Sequence, residues 1–417
     1  MQYGFAVDIG TTNIEISLWK LETDTCETSS FHNTPIKTKS VRNCLYVYGA
    51  DVVSRILYAH YNGVEVLQKK LIAQLKEEFD LMLRDVQDDS SGTERLAKRA
   101  VLTGNTVMLH FLSGLSVAGF EKAPFTPVSL FGEAGPAASA LASLAKEVIL
   151  PPCISAFLGA DIVCASLAVE SDTHYVGGAS CASGCSLAGS AGDSDDARDK
   201  PYIVIDIGTN TEIMLVSADG KRTACSAAAG PAFEGGGLSV DMKGSALVSE
   251  LARMLDEDIM DETGYLGADD TPGDSCKQSA SAEHDSDGNK RRTILSQQDV
   301  RQLQLAKGAT AAAVETLLLS VRNGTATEDV KRCFICGNFG NALDVEAVKK
   351  TGLLPAELAD CAVYAGNAAL RGAEYILFSK TAALHEALEI AQKTAVLQLA
   401  DSAVFAEKYI QNMNFRA

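Results

Sequence analysis

The sequence predicts an α/β protein built from two related lobes, and three observations carry that expectation. Short β-rich runs alternate with helical patterns along most of the chain. The motif Phe5-Ala-Val-Asp8-Ile-Gly10-Thr11-Thr12-Asn13 returns as Ile203-Val-Ile-Asp206-Ile-Gly208-Thr209-Asn210-Thr211, its aspartate 198 residues further on. In each copy an apolar strand ends, a glycine-containing turn follows, and a second strand begins. Duplication of one unit explains that pattern better than two independent turns.

Taken in order, the first lobe spans 1–170. Its opening strand ends at the first motif, a second fits 14–20, and a third fits 25–32. Residues 171–200 are rich in Ser, Gly, Ala and Asp and read as a flexible insert. The second lobe spans 201–417, with strands entering the repeated motif and then at 212–217 and 221–227. Residues 267–293, polar and charged with several turn formers, read as a flexible loop within it. The stretch 382–410 has alternating helical faces and is expected to cap the second lobe.

Composition narrows the function classes. The 417 residues are 47% hydrophobic and 22% charged, with a net charge of −18. That apolar content excludes a chain disordered throughout, and the length suits two or three domains. The acidic balance argues against a nucleic-acid partner, because a phosphate backbone would be repelled. No apolar run approaches the roughly 18–20 residues that span a bilayer. The chain enters a strand pattern at once, without a basic and apolar leader, so a cytoplasmic location away from membranes is expected.

Eleven cysteines, an odd number scattered along the chain, read as reduced thiols. Cys333 and Cys336 have redox or zinc spacing but fall in a β-rich run, which favours burial in a strand. Cys181 and Cys185 lie in the small-residue insert, with room to bind metal or to oxidise; a flexible insert without a role is the alternative. No four-cysteine spacing for an iron–sulfur centre is present in the sequence.

The repeated motif suits phosphate chemistry. An aspartate at a strand end can hold Mg²⁺ directly or through water. Gly10 and Gly208 let the backbone turn tightly enough for N–H groups to approach phosphate oxygens. Thr11, Thr12, Asn13, Thr209, Asn210 and Thr211 add hydroxyl and amide donors. A single copy could be an ordinary hairpin turn; two at matching positions suit the binding of one triphosphate. Asp8 and Asp206 are the candidate Mg²⁺ and water-organising acids. Glu234, after the Gly230-Pro231 turn, either reaches the nucleotide or its water or supports the loop. Gly337, Asn338 and Gly340 follow a strand, where backbone without side chains can lie against a nucleoside.

The paired loops resemble those of the actin-like ATPase superfamily. Further motifs narrow the likeness. They include Tyr48-Gly-Ala-Asp51, Thr103-Gly-Asn105-Thr-Val-Met-Leu-His110, and Pro151-Pro-Cys-Ile-Ser-Ala-Phe-Leu-Gly159-Ala-Asp161. In the second half come Gly230-Pro231-Ala-Phe233-Glu234-Gly235, Leu305-Ala-Lys307-Gly308, Cys336-Gly337-Asn-Phe-Gly340 and Gly366-Asn367-Ala-Ala-Leu-Arg-Gly372. Together they resemble the ATPase domain of the reductive activators of corrinoid proteins, essentially end to end.

The resemblance implies duplicated RNase H-like lobes with a nucleotide cleft between them, and ATP with Mg²⁺ as ligands. It implies an ATPase that helps reduce cobalt(II) to cobalt(I) on a partner corrinoid protein. Without cluster cysteines, the chain is expected to hold no iron–sulfur cluster and to rely on a separate ferredoxin-like donor. By analogy with the chaperone branch, Gln304 and Lys307 on one helix face border adenine and ribose; a solvated polar face is the alternative. A shortened stretch between Glu234-Gly235 and Lys243-Gly244-Ser245 departs from the family pattern and bears on partner recognition. A homodimer is an open expectation. A small-molecule kinase of the same superfamily and a nucleotide-dependent scaffold or chaperone are the competing readings. His110 reads as a core histidine or a contact to the corrinoid side, and Asp51 with Arg55 as a local ion pair or a functional pair.

Overall fold

The computed structural model describes residues 2–21, 34–86, 96–132, 138–171, 201–266, 283–284, 290–291, 295–321, 330–337 and 344–416. The first sheet contains β1 (Gln2–Ile9), β2 (Asn13–Leu21), β3 (Lys37–Arg42), β4 (Ala97–Gly104) and β5 (Ala145–Ile149). Their order is β3-β2-β1-β4-β5. β1 and β2 are antiparallel, as are β2 and β3, whereas β4 runs parallel to both β1 and β5. The expected third strand at 25–32 lies outside the described residues; Lys37–Arg42 is the strand that pairs with β2.

β1 is apolar on both faces because both faces are covered. Phe5 stacks on Phe79 of the Val64–Arg84 helix, ring centroids 3.9 Å apart. That helix buries Leu67, Leu71, Leu75 and Phe79 at four-residue steps, a stripe that a 3.6-residue period aims at one surface. Each fully buried leucine of this kind contributes about 1.5–3 kcal/mol. On the other side lies the Ala368–Lys393 helix, with Phe378 edge-on to Trp19 at 5.1 Å.

The second sheet contains β6 (Tyr202–Ile207), β7 (Thr211–Val216), β8 (Arg222–Ala227), β11 (Arg332–Cys336), β12 (Ala362–Gly366) and β13 (Thr394–Val396). Two short strands between them, β9 (Glu283–His284) and β10 (Lys290–Arg291), pair with each other. The order is β12-β11-β6-β7-β8-β13. Without β13, which joins β8 in parallel, the run β8-β7-β6-β11-β12 repeats β3-β2-β1-β4-β5 strand for strand. The duplication legible in the two motifs is therefore a duplication of topology.

The chain divides into two compact units. One comprises Met1–Asp206, Glu212–Cys225 and Asn367–Leu397; the other comprises Ile207–Thr211, Ser226–Gly366 and Gln398–Ala417. The stretch 382–410 is thus not a single cap. Its first part continues the Ala368–Lys393 helix, which packs in the first unit. Gly372 makes that packing close: a Cβ there would stand 2.0 Å from the Cys164 carbonyl oxygen on the Ala160–Ser171 helix. Only the Ala403–Gln411 helix and the residues around it belong to the second unit. Among the described residues, no helix is long and apolar enough to cross a membrane.

Candidate functional site

The first loop joins β1 to β2. Gly10 has no room for a side chain, since a Cβ would lie 2.7 Å from the Asn13 carbonyl oxygen. Three neighbouring carbonyls of the loop are captured. Asn43 Nδ2 donates to Gly10 O at 2.8 Å, and the Asn43 backbone N–H donates to Thr12 O at 2.9 Å. Arg55 Nη2 donates to Thr11 O at 2.7 Å, while its Nε donates to Gly49 O at 2.9 Å. Asn105 Nδ2 reaches Thr11 Oγ1 at 3.3 Å and, through its Oδ1, caps the Thr106–Ser113 helix.

Asp8, at the end of β1, accepts from Asn367 Nδ2 through Oδ2 at 2.9 Å. Cys164 lies in the same neighbourhood, and burial pushes its thiol up to about 12, with the charges of Asp161 and Asp8 adding to the rise. Burial also raises the Asp161 carboxyl, to about 6, although its Oδ1 accepts the Ile162 N–H at 2.9 Å. Asp161 opens the Ala160–Ser171 helix just after Gly159, where a Cβ would meet the Asn105 Cα at 2.4 Å.

The second loop joins β6 to β7 and closes on itself, Gly208 N–H donating to Asn210 O at 2.9 Å. Thr209 Oγ1 donates to Glu234 Oε2, and Gly230 N–H donates to Thr209 O at 2.8 Å. Glu234 ends the 3₁₀ turn Pro231–Glu234, which is bounded by Gly230 at φ 86° and Gly235 at φ 79°. Both angles lie where glycine is favoured. Thr211 Oγ1 and Thr310 Oγ1 share a 3.0 Å hydrogen bond, tying this loop to the Gln297–Ser320 helix.

Other expected site residues have different surroundings. Gln304 and Lys307 are buried, not on a solvated face. Gln304 Nε2 donates to Thr263 O and Met413 O, and Lys307 Nζ donates to Asn414 O at 2.6 Å. Both side chains hold the C-terminal segment. Burial, with the charge of Arg416, lowers the Lys307 ammonium to about 7. Gly337 follows β11 at φ 93°, its N–H donating to Gly366 O and its carbonyl accepting the Tyr364 hydroxyl. Asn338, Gly340, Cys181 and Cys185 lie outside the described residues.

His110 is a core histidine. Its Nδ1 is 2.7 Å from Thr106 O, its ring meets Phe120 and Phe131 edge-on, and burial lowers its pKa. Asp51 caps the Val52–Asn62 helix by accepting the Ser54 N–H. Arg55 is fully buried and serves the first loop, a role missed in the i, i+4 pairing. Its signal was present: Val52, Arg55, Ile56 and Ala59 form one helical stripe, placing an arginine on the inward face. Cys333 and Cys336 are buried in β11, as the strand pattern suggested. Among the described residues, no group of three or more His, Cys, Asp or Glu could hold a metal by itself.

Two topologically matched sheets, each carrying an Asp-Ile-Gly-Thr turn after its central strand, define the actin-like ASKHA class of nucleotide-binding proteins. Residues 200–243 and 240–417 match the C-terminal domain of RACo, the ASKHA domain, and residues 3–174 match the RACo middle region. The chain belongs to this family. It is 26% identical to "Corrinoid activation enzyme RamQ" of Eubacterium limosum, over 99% of this chain and 70% of that protein. It is 24% identical to the "[Co(II) methylated amine-specific corrinoid protein] reductase" of Methanosarcina barkeri, over 99% of this chain and 77% of that one. A solved "Reductive activator for corrinoid,iron-sulfur protein" superposes with a TM-score of 0.77 at 26% identity, over 99% of this chain. The chain spans 66% of the length of that activator.

Proposed function

We propose that this chain is an ATPase that drives reductive activation of a corrinoid protein, carrying its cobalt(II) to cobalt(I). The observation that carries this reading is the match of 99% of the chain to a solved reductive activator, at a TM-score of 0.77. The partner's cobalt is the substrate. It gains one electron, which a separate ferredoxin-like donor loses, while ATP and water become ADP and phosphate.

The two loops bind nucleotide phosphates through backbone and hydroxyl donors. Mg²⁺ fits this donor set, since it binds through one or two carboxylates plus phosphate oxygens and keeps several waters. Asp8 and Asp206 would hold it, where it would neutralise charge on the phosphates. Glu234, anchored by Thr209, orients the attacking water. Gly337, Asn338 and Gly340 border the nucleoside. The helix bearing Gln304 and Lys307 borders adenine and ribose, while both side chains hold the C-terminal segment. A cytoplasmic, acidic protein, excluded from nucleic acid by its net charge of −18 and associating as a homodimer, completes the proposal.

The test combines the chain with a cobalt(II) corrinoid protein, a reduced ferredoxin-like donor, ATP and Mg²⁺. Cobalt(I) absorbance that appears only with ATP is the expected result. Phosphate transfer to a small-molecule acceptor without cobalt(I) would make the chain a kinase, and nucleotide-dependent binding without turnover would make it a scaffold. Either overturns the reading.

A further inference from the structure

We infer that Arg55 and Asn43 are positioning residues that preset the first phosphate loop, so that this loop selects for the phosphates of a nucleotide and not for its nucleoside. The inference rests on the nucleotide reading above and deepens it.

A peptide carbonyl and the N–H of the following residue belong to one rigid, nearly planar unit and point in opposite directions. Fixing the Gly10 carbonyl therefore fixes the Thr11 N–H, and fixing the Thr11 carbonyl fixes the Thr12 N–H. The donors that do this come from outside the loop. Asn43 Nδ2 takes Gly10 O, and Arg55 Nη2 takes Thr11 O. Asn43 takes Thr12 O as well, through its backbone.

Both donors are themselves held. Asn43 is buried and caps the Cys44–Tyr48 turn, its Oδ1 accepting the Leu45 N–H at 2.9 Å. That bond orients the amide so that Nδ2 faces the loop. Arg55 is buried along the inward stripe of its helix, with Nε on Gly49 O and Nη1 3.4 Å from Met108 Sδ. A planar fork held at three points is stiff, which a lysine ammonium on a flexible stem is not. A charged donor on the Thr11 carbonyl also polarises that peptide, strengthening the N–H at its other end. Donors fixed in advance cost no reorganisation when an anion arrives.

The nucleoside makes no demand on these peptides, so the inference predicts a split between ligands. The full chain and its Arg55→Lys and Asn43→Ser variants are titrated with ATP plus Mg²⁺ and, separately, with adenosine, by calorimetry. Asn43→Ser keeps a cap acceptor and loses the reaching amide donor. The expected result is an ATP affinity at least tenfold weaker in each variant, with adenosine affinity within twofold of the parent. Equal losses for both ligands, or no loss for either, would overturn the positioning role. If buried Arg55→Lys does not fold, Asn43→Ser decides alone. A parent chain that binds adenosine as tightly as ATP would sink the nucleotide reading itself, a result distinct from a parent that prefers ATP and variants that keep the preference.

Discussion

Asn367 Nδ2 donates to Asp8 Oδ2 at 2.9 Å, joining residues 359 apart in sequence. The same amide caps the Ala368–Lys393 helix, its Oδ1 accepting the Leu370 N–H at 2.8 Å. One oxygen of the amide is committed to the helix, so its nitrogen has to face the carboxylate. Asp8 is thereby fixed in orientation.

Asn367→Asp keeps a good helix cap but sets a carboxylate against Asp8. ATP turnover should fall at least tenfold and require more Mg²⁺ for half-saturation, with the unfolding midpoint changed by only a few degrees. Asn367→Ala loses the cap and should cost about 1 kcal/mol of stability. A turnover assay across Mg²⁺ concentrations, run beside thermal unfolding, separates the two effects.

Asp206→Ala should abolish hydrolysis while the protein unfolds at nearly the parent temperature, since the side chain is only partly buried at the end of β6. Asp8→Ala should do the same. Unchanged phosphate release in either variant would remove that carboxylate from the site.

Thr209 and Glu234 should behave as one unit, because Thr209 Oγ1 donates to Glu234 Oε2. Glu234→Gln is expected to lower turnover at least tenfold and Thr209→Val by less. Combined, they should cost no more than Glu234→Gln alone, a coupling of about 1 kcal/mol or more in a double-mutant cycle. Strictly additive losses would show that the hydrogen bond does not serve turnover.

Lys307 makes a prediction in pH. Burial and Arg416 lower its ammonium from 10.5 to about 7, with Glu315 opposing. Between those values the unfolded chain holds a proton that the folded chain has released, so stability from this group rises as pH increases from about 7 toward 10.5. Below 7 both states are protonated and the cost of the buried charge is fully present. Relative to Lys307→Met, which carries no titrating group, the parent should gain in unfolding midpoint from pH 7 to pH 9.5. A constant difference would place the titration elsewhere.

Gly372→Ala should destabilise the first unit, because its methyl would meet the Cys164 carbonyl oxygen at 2.0 Å. Overpacking of this kind costs typically 1–3 kcal/mol. Denaturant unfolding measures it.

Much of the fold was legible because it is local and repeated. The turn after Asp8 and the turn after Asp206 announce themselves by glycine and threonine, and the strands beside them by apolar runs. The rest depends on contacts far apart in sequence. Arg55 and Asp51 share a helix spacing that suggests an ion pair, yet the guanidinium turns inward to a carbonyl 44 residues away. Gln304 and Lys307 share a face, but what covers it is the chain's own end: residues 413 and 414 take their hydrogen bonds. No local pattern in 382–410 distinguishes a helix that continues over the first sheet from a cap on the second.

The first unit draws on three separated stretches of chain, the last of them Asn367–Leu397. A ribosome delivers those stretches at different times. Until the 367–397 stretch has emerged, the part of the first sheet bearing Trp19 and Gly4 lacks the helix that covers it, for Phe378 and Leu377 are still to be made. The second motif and most of its unit are synthesised before the first unit can close. A chain stopped near residue 200 would hold all five strands of the first sheet and still lack the two later stretches, Glu212–Cys225 and Asn367–Leu397, that complete the unit.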